Sequence, residues 1–278
     1  MGLGSIAEMS RHRADLGSKS LELMKILKSL SPVVVAYSGG VDSSLLLAAA
    51  FEASGGKVLA VTASSPTYPR RELESARHIA SLVGAEHRLI KTREVDDPAF
   101  RQNPLNRCYL CKRELFLGVA RIARDDGYSG VVEGSTVDDL KDFRPGEKAL
   151  VELGITSPLR EASFTKADVR DLARLIGLPN WDKPAAACLA SRFPYGTEIT
   201  RDGLLRIERI ENALLDLGFK QVRARSHGDL LRIEVEPERL ARASEHDVRD
   251  KIVQTARREG FRFVTLDLQG YRTGSFNP

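Results

Sequence analysis

Apolar positions in the first half of the chain alternate between two patterns. Val33, Val34, Val35 and Ala36 form a short β-branched run of the kind that makes a buried strand. Through Tyr37, Ser38, Gly39 and Gly40 it leads into Val41, Asp42, Ser43, Ser44, Leu45, Leu46 and Leu47, an apolar stretch that reads as a helix start. A second strand is predicted over 58–63, a helix over about 70–83 that Gly84 ends, and a short strand near 87–90. Ahead of them, Leu21, Leu23, Met24, Ile26, Leu27 and Leu30 take the spacing of one helix face over 20–30. Residues 1–20 are polar and expected to be loosely ordered. Strand and helix in alternation specify an α/β, doubly wound parallel sheet, with its ligand at the carboxyl ends of the strands.

Residues 96–111 break this rhythm with Asp96, Asp97, Pro98, Asn103, Pro104 and Asn106, then deliver Cys108, Tyr109, Leu110, Cys111 and Lys112. A helix is expected from 112 to about 124, and a strand over 130–133 that ends in Gly134 and Ser135. The polar stretch 138–146 has no period and reads as a loop over the ligand end of the sheet. Thr165 with Asp168 three residues on marks the start of a helix that runs to Ile176. Residues 179–184 read as a linker. Beyond it, helix 200–217, strands 221–224 and 230–235, helix 245–258 and strand 261–268 suggest a smaller C-terminal α+β domain. The expected organisation is a loose terminus over 1–20, an α/β domain over 21–180 and a smaller C-terminal α+β domain over 185–278.

A net charge of +4 over 278 residues permits an anionic ligand without demanding nucleic acid. No apolar run approaches the ~20 residues of a membrane span, and Met1 to Gly17 lack a signal-peptide core. A cytoplasmic location and no membrane partner are therefore expected. Three cysteines, an odd number, argue against a disulfide scaffold and for metal binding or catalysis.

Gly39 and Gly40 allow close backbone approach, and the amides and dipole of the following helix favour an anion. Ser38, Ser43 and Ser44 add hydroxyl donors. No Gly-Lys-Ser/Thr ending follows, so this is not the loop that wraps β and γ phosphates around a lysine. An ordinary glycine-containing turn is the plain alternative. The order strand, Ser-Gly-Gly-x-Asp-Ser, helix resembles the PP-loop ATP pyrophosphatases. That resemblance implies cleavage of ATP between the α and β phosphates, adenylation of a substrate, and pyrophosphate held on this loop.

Cys108 and Cys111 alone leave three readings open: a redox pair, half of a zinc site, or iron-sulfur ligands. Cys188 is the one other cysteine, and His12, His78, His87, His227 and His246 show no spacing that commits one of them to a site. Three thiolates on one cluster would leave an iron open to a ligand such as sulfide. Taken together, the loop domain, Glu133, Gly134 and Ser135, Asp138 and Asp139, Asp142, Phe143, Arg144, Pro145 and Gly146, and the stretch 185–196 resemble the LarE-type ATP-dependent sulfur transferases. The likeness covers almost all of the chain after residue 20.

What that resemblance implies is ATP-dependent adenylation of a carboxylate of pyridinium-3,5-biscarboxylic acid mononucleotide, followed by displacement of AMP by sulfur. Some members sacrifice one cysteine as the donor. With Cys108, Cys111 and Cys188, this chain resembles instead the branch in which three cysteines hold a 4Fe-4S cluster. Cys188 is then a cluster ligand and a catalytic candidate, with sulfide or another sulfur donor as a partner. Asp42 would hold Mg2+ or orient the loop. Lys112 resembles a lysine near the reacting phosphate, or is a surface lysine at a helix start. Gly134, with Ser38, Gly39, Gly40, Asp42, Ser43 and Ser44, belongs to the expected ATP site.

Ser191, Arg192, Arg223 and Arg225 are candidates to clamp the mononucleotide phosphate, since guanidinium forks suit phosphate and alternate strand residues share a face; a solvated sheet face is the alternative for the two strand arginines. Glu211 and Glu234 resemble carboxylates used between subunits, consistent with a homo-oligomer, and by residue type alone are exposed charges. A tRNA thiolase with a three-cysteine cluster is the second functional reading, weakened by the absence of an aromatic-interleaved basic stripe. A non-catalytic nucleotide or redox sensor is the third.

Overall fold

The computed structural model describes residues 3–6, 14–141, 145–184 and 186–272. The chain divides into two compact units, Met1–Thr92 with Asn106–Ala186, and Arg93–Leu105 with Ala187–Pro278.

In the first unit, β1 (Val33–Ala36), β2 (Val58–Ser64), β3 (Glu86–Lys91) and β4 (Gly130–Val132) form a parallel sheet in the order β3-β2-β1-β4. The accompanying helices are α1 (Ala14–Leu30), α2 (Val41–Ala53), α3 (Arg70–Val83), α4 (Arg107–Asp125) and α5 (Lys166–Leu175). Because side chains alternate across a strand, Val33, Val35, Val58 and Ala60 join a core with Leu27 of α1, Leu45 of α2, Ile79 of α3 and Leu172 of α5. Val34, Leu59 and Val61 face the opposite core with Phe116 and Val119 of α4. Burial on both faces accounts for the continuous apolar runs that the sequence presented as strands. Helix α2 packs on α1, α3 and α5, so its run from Leu45 to Ala50 needs no polar face. The sheet grows outward from β1 to β2 to β3, then returns with β4 on the other side of β1. That reversal is the doubly wound arrangement, and it opens a crevice beyond the ends of β1 and β4.

Three local expectations need adjusting. Helix α1 begins at Ala14 rather than 20. Helix α4 begins at Arg107 rather than 112, because nothing after Pro104 interrupts a helix and Asn106 takes the N-cap position. Cys108 and Cys111 therefore lie three apart on one side of a helix. The predicted loop 138–146 contains a 3-10 turn at Val137–Lys141, and its Asp142, Phe143 and Arg144 fall outside the described residues, as do 1–2, 7–13 and Ala185 from the stretches read above. The helix start at Thr165 is a complete capping box, with Thr165 Oγ1 accepting from the Asp168 amide at 3.1 Å and Asp168 Oδ2 from the Thr165 amide at 2.9 Å.

In the second unit, β5 (Val222–His227) and β6 (Leu230–Val235) are antiparallel, and β7 (Phe263–Leu266) joins β6 in parallel. Helices α6 (Arg201–Asp216) and α7 (His246–Arg258) accompany this sheet. Val222, Ala224, Leu231, Ile233 and Val235 supply its apolar face, while Arg223, Arg225, Arg232 and Glu234 occupy the other. The segment Arg93–Leu105 belongs here: Arg101 O accepts from the Ile199 amide at 2.8 Å, and Asn103 Nδ2 donates to Pro194 O at 2.7 Å.

Candidate active site

The crevice of the first unit is bounded by the turn after β1. Gly39 has φ +65°, and a Cβ there would stand 2.7 Å from Ala76 Cβ and 2.9 Å from Ala76 Cα of α3. Glycine is thus required both for the dihedral and for the fit. Gly40 is the N-cap of α2 and offers no capping side chain, so the first-turn amides stay available to a ligand. On the far side of the crevice, a Cβ on Gly134 would stand 3.0 Å from the Ser43 amide nitrogen, which places the backbone after β4 directly against this first turn. Ser38 Oγ and Ser43 Oγ are 3.1 Å apart. Ser44 is fully buried beside the Tyr37 hydroxyl at 3.2 Å, so it supports the turn from beneath.

Asp42 faces a cation of the chain itself. Lys166 Nζ donates to Asp42 Oδ2 at 2.5 Å and to Asp139 Oδ2 at 3.2 Å, and the Lys166 amide donates to Asp138 Oδ2 at 2.7 Å. Burial raises the Asp42 pKa above the ordinary carboxylate value, with Lys166 opposing the shift and Asp139 adding to it. Asp42 Oδ1 is buried with no hydrogen-bond partner among the described residues. The strand end at Glu133 is equally organised: its carboxylate accepts from the Ser135 amide at 3.1 Å, from Ser135 Oγ at 2.8 Å and from Ser157 Oγ. Lys112, in the second turn of α4, lies against Gly146, where a Cβ would stand 2.5 Å from Lys112 Cδ.

Cys108 and Cys111 are half-buried, Cys188 is exposed, and no disulfide joins them. Among the described residues no three His, Cys, Asp or Glu side chains gather as a metal site.

In the second unit, Cys188 immediately precedes the 3-10 turn Leu189–Arg192. Arg192 is buried and bidentate to Glu211, with Nε and Nη2 each 2.8 Å from a carboxylate oxygen. Its Nη1 donates to Ala187 O, Cys188 O and Ser191 Oγ at 3.0, 3.1 and 2.8 Å. Burial works against the Arg192 charge, and Glu211 more than offsets it, leaving the pKa raised. Arg225 forms a second bidentate pair with Glu234 at 2.7 and 2.9 Å and donates to Ser191 O at 2.9 Å. The two arginines thus hold the Cys188 turn. Arg223 lies over the Tyr271 ring at 4.8 Å, its pKa lowered by burial and by the nearby Arg192 charge. Reading Glu211 and Glu234 as exposed charges, and the strand arginines as a solvated face, does not hold: all four are buried. The cross-strand register Arg223 to Glu234 brings opposite charges together on one side of the hairpin.

Sequence reasoning missed Lys166, Asn180 and Tyr68. A lysine at the first position of a helix opposes the dipole, and that misfit was a legible sign that Lys166 answers a carboxylate elsewhere. Asn180 falls in the predicted linker, yet it is buried and donates to Gly39 O at 3.2 Å and Ser44 Oγ at 3.0 Å. The Tyr68 hydroxyl donates to Ser38 O.

The parallel sheet, its reversal at β1 and the glycine turn define a nucleotide enzyme of the PP-loop class. A family model described as asparagine synthase matches residues 24–102. The chain is 44% identical to an uncharacterized protein of Synechocystis sp., over 94% of this chain and 98% of the relative. It is 39% identical to the pyridinium-3,5-bisthiocarboxylic acid mononucleotide synthase of Lactiplantibacillus plantarum, over 95% of each chain. An uncharacterized protein of Methanocaldococcus jannaschii is 28% identical over 87% of this chain and 91% of its own. The chain belongs to the LarE family of ATP-dependent sulfurtransferases. ATP use fits the loop, and no helix among the described residues is long and apolar enough to cross a membrane.

Proposed function

We propose that the protein activates a carboxylate of pyridinium-3,5-biscarboxylic acid mononucleotide with ATP and replaces one carboxylate oxygen by sulfur. The observation that carries this reading is the turn at Gly39 and Gly40, which opens a helix with no capping side chain and no kinase-type lysine and so suits the anion that ATP cleavage releases. A substrate carboxylate oxygen attacks the α-phosphorus, and pyrophosphate leaves onto the amides of the turn. Sulfur then attacks the acyl carbon, and AMP departs with the original carboxylate oxygen. An acyl adenylate suits this task because a bare carboxylate is a poor electrophile with no leaving group.

Asp42 Oδ1, buried and without a hydrogen-bond partner among the described residues, is an oxygen that a hard cation would take, and Asp42 would hold Mg2+, which when bound supplies charge neutralisation for the departing pyrophosphate. Lys166 keeps Asp42 from repelling phosphate in the meantime. Lys112 is the candidate cation for transition-state charge. Arg223, whose charge burial and Arg192 disfavour, gains most from an anion and is the leading candidate for the mononucleotide phosphate, with Ser191, held by Arg192 and Arg225, as a second candidate. The donor set of Cys108, Cys111 and Cys188 fits a soft metal centre, and these thiolates would hold a 4Fe-4S cluster that when bound supplies an open iron for sulfide.

Substrate labelled with 18O in its carboxylates tests the sequence of steps. Label should appear in the phosphate of AMP as the thiocarboxylate forms. Unlabelled AMP alongside thiolated product would refute the acyl-adenylate route.

A further inference from the structure

Four consecutive carbonyls of the phosphate turn are each tied back into the first unit. Tyr37 O accepts from Thr62 Oγ1 at 2.6 Å, Ser38 O from the Tyr68 hydroxyl, Gly39 O from Asn180 Nδ2 at 3.2 Å, and Gly40 O from the Ser44 amide at 2.9 Å and Ser43 Oγ at 3.2 Å. Thr62 has one hydroxyl proton and gives it to Tyr37 O, so its 2.8 Å contact with His87 Nε2 has the imidazole as donor. The amides of Gly39 and Gly40 take no hydrogen bond among the described residues.

In a trans peptide the carbonyl and the following N–H point in opposite directions. Fixing Ser38 O therefore aims the Gly39 N–H, and fixing Gly39 O aims the Gly40 N–H. Both donors stand outside the glycine motif: Tyr68 follows β2, and Asn180 follows α5. Burial and the Glu72 charge push the Tyr68 pKa up, so its hydroxyl remains a donor across the working range. An unheld glycine pair would sample many backbone orientations, and ordering it would have to accompany each binding event.

We propose that Tyr68 and Asn180 are positioning residues for pyrophosphate: by holding the carbonyls of Ser38 and Gly39 they preset the Gly39 and Gly40 amides on the leaving group. The inference rests on the reading that this turn holds pyrophosphate. Neither residue touches the adenosine or the sulfur chemistry in this scheme, so their effect is confined to ligands that carry the β and γ phosphates.

The test compares Tyr68→Phe and Asn180→Asp with the wild-type full chain by calorimetric titration of Mg2+-pyrophosphate and, separately, of AMP. Phenylalanine removes one donor and keeps the ring. Aspartate keeps the size of Asn180 and sets an acceptor against Gly39 O. Pyrophosphate should bind about fivefold more weakly to Tyr68→Phe, the equivalent of one lost hydrogen bond, and weaker still to Asn180→Asp. AMP should bind both as it binds the wild type. Unchanged pyrophosphate binding in both variants overturns the proposal, as does parallel loss of AMP and pyrophosphate, which would mark a merely structural role. A wild-type protein that ignores pyrophosphate would instead overturn the functional reading beneath it.

Discussion

Gly39→Ala is the sharpest perturbation of the phosphate turn. Two costs are separable. The φ of +65° disfavours any Cβ by about 1–2 kcal/mol. The second cost is contact: the new methyl would stand 2.7 Å from Ala76 Cβ and 2.9 Å from Ala76 Cα, so helix backbone as well as side chain must move. Forced overpacking of this kind adds about 1–3 kcal/mol, for a total near ~2–5 kcal/mol.

Gly154 supplies the control, with φ +63° and nothing within 4 Å of the added Cβ. Gly154→Ala should show the dihedral cost alone. In a domain of this size ~1 kcal/mol corresponds to a shift of about 2–4 °C in Tm, so Gly39→Ala should melt several degrees below Gly154→Ala in parallel thermal scans. AMP formation should fall at least about a hundredfold in Gly39→Ala, because the turn escapes the clash only by leaving its position, and should be unchanged in Gly154→Ala. Equal melting temperatures with full activity in both variants would refute the argument that α3 and the turn are locked together through this glycine.

Further outcomes follow from the charged groups and thiols. Asp42 has a raised folded-state pKa, so its contribution to stability is fully present below the unfolded value of 3.8 and is lost as pH rises through the raised value; urea unfolding of Asp42→Asn should be less sensitive to pH across that window than the wild type. Lys166→Met should weaken ATP binding roughly tenfold in equilibrium titration, since Asp42 would then present uncompensated charge to phosphate. Glu211→Gln strands the Arg192 charge beneath the Cys188 turn and should destabilise the second unit by about 3–5 kcal/mol in denaturant unfolding. Anaerobically isolated protein should be brown and contain iron and sulfide, Cys108→Ala should be colourless, and intact Cys188 should be found by mass spectrometry after turnover; dehydroalanine at that position would favour self-sacrifice.

Much of this architecture is legible in the chain because continuous apolar runs and glycine punctuation are local signals. The strand at Val33, the glycine turn and the helix stop at Gly84 could each be read from a few neighbouring residues. The polar run 96–106 masks where helical residues begin, so the sequence sets Cys108 and Cys111 ahead of a helix that in fact contains them. The buried Arg192–Glu211 and Arg225–Glu234 pairs were invisible for a different reason: partners lie 19 and 9 residues apart and meet only once the hairpin and α6 are assembled. Asn180 shows the same limit, since a buried asparagine in a Pro-flanked stretch has the composition of a loop, and its partner Gly39 is 141 positions away.

Product analysis tests the central claim most directly. Purified protein is incubated with ATP, Mg2+, a sulfur source and the biscarboxylic acid mononucleotide, and the adenine nucleotides and phosphates are separated. AMP and pyrophosphate in equal amounts, formed only when the mononucleotide is present, are the expected result. ADP with inorganic phosphate, or AMP that appears with tRNA and never with the mononucleotide, would contradict it.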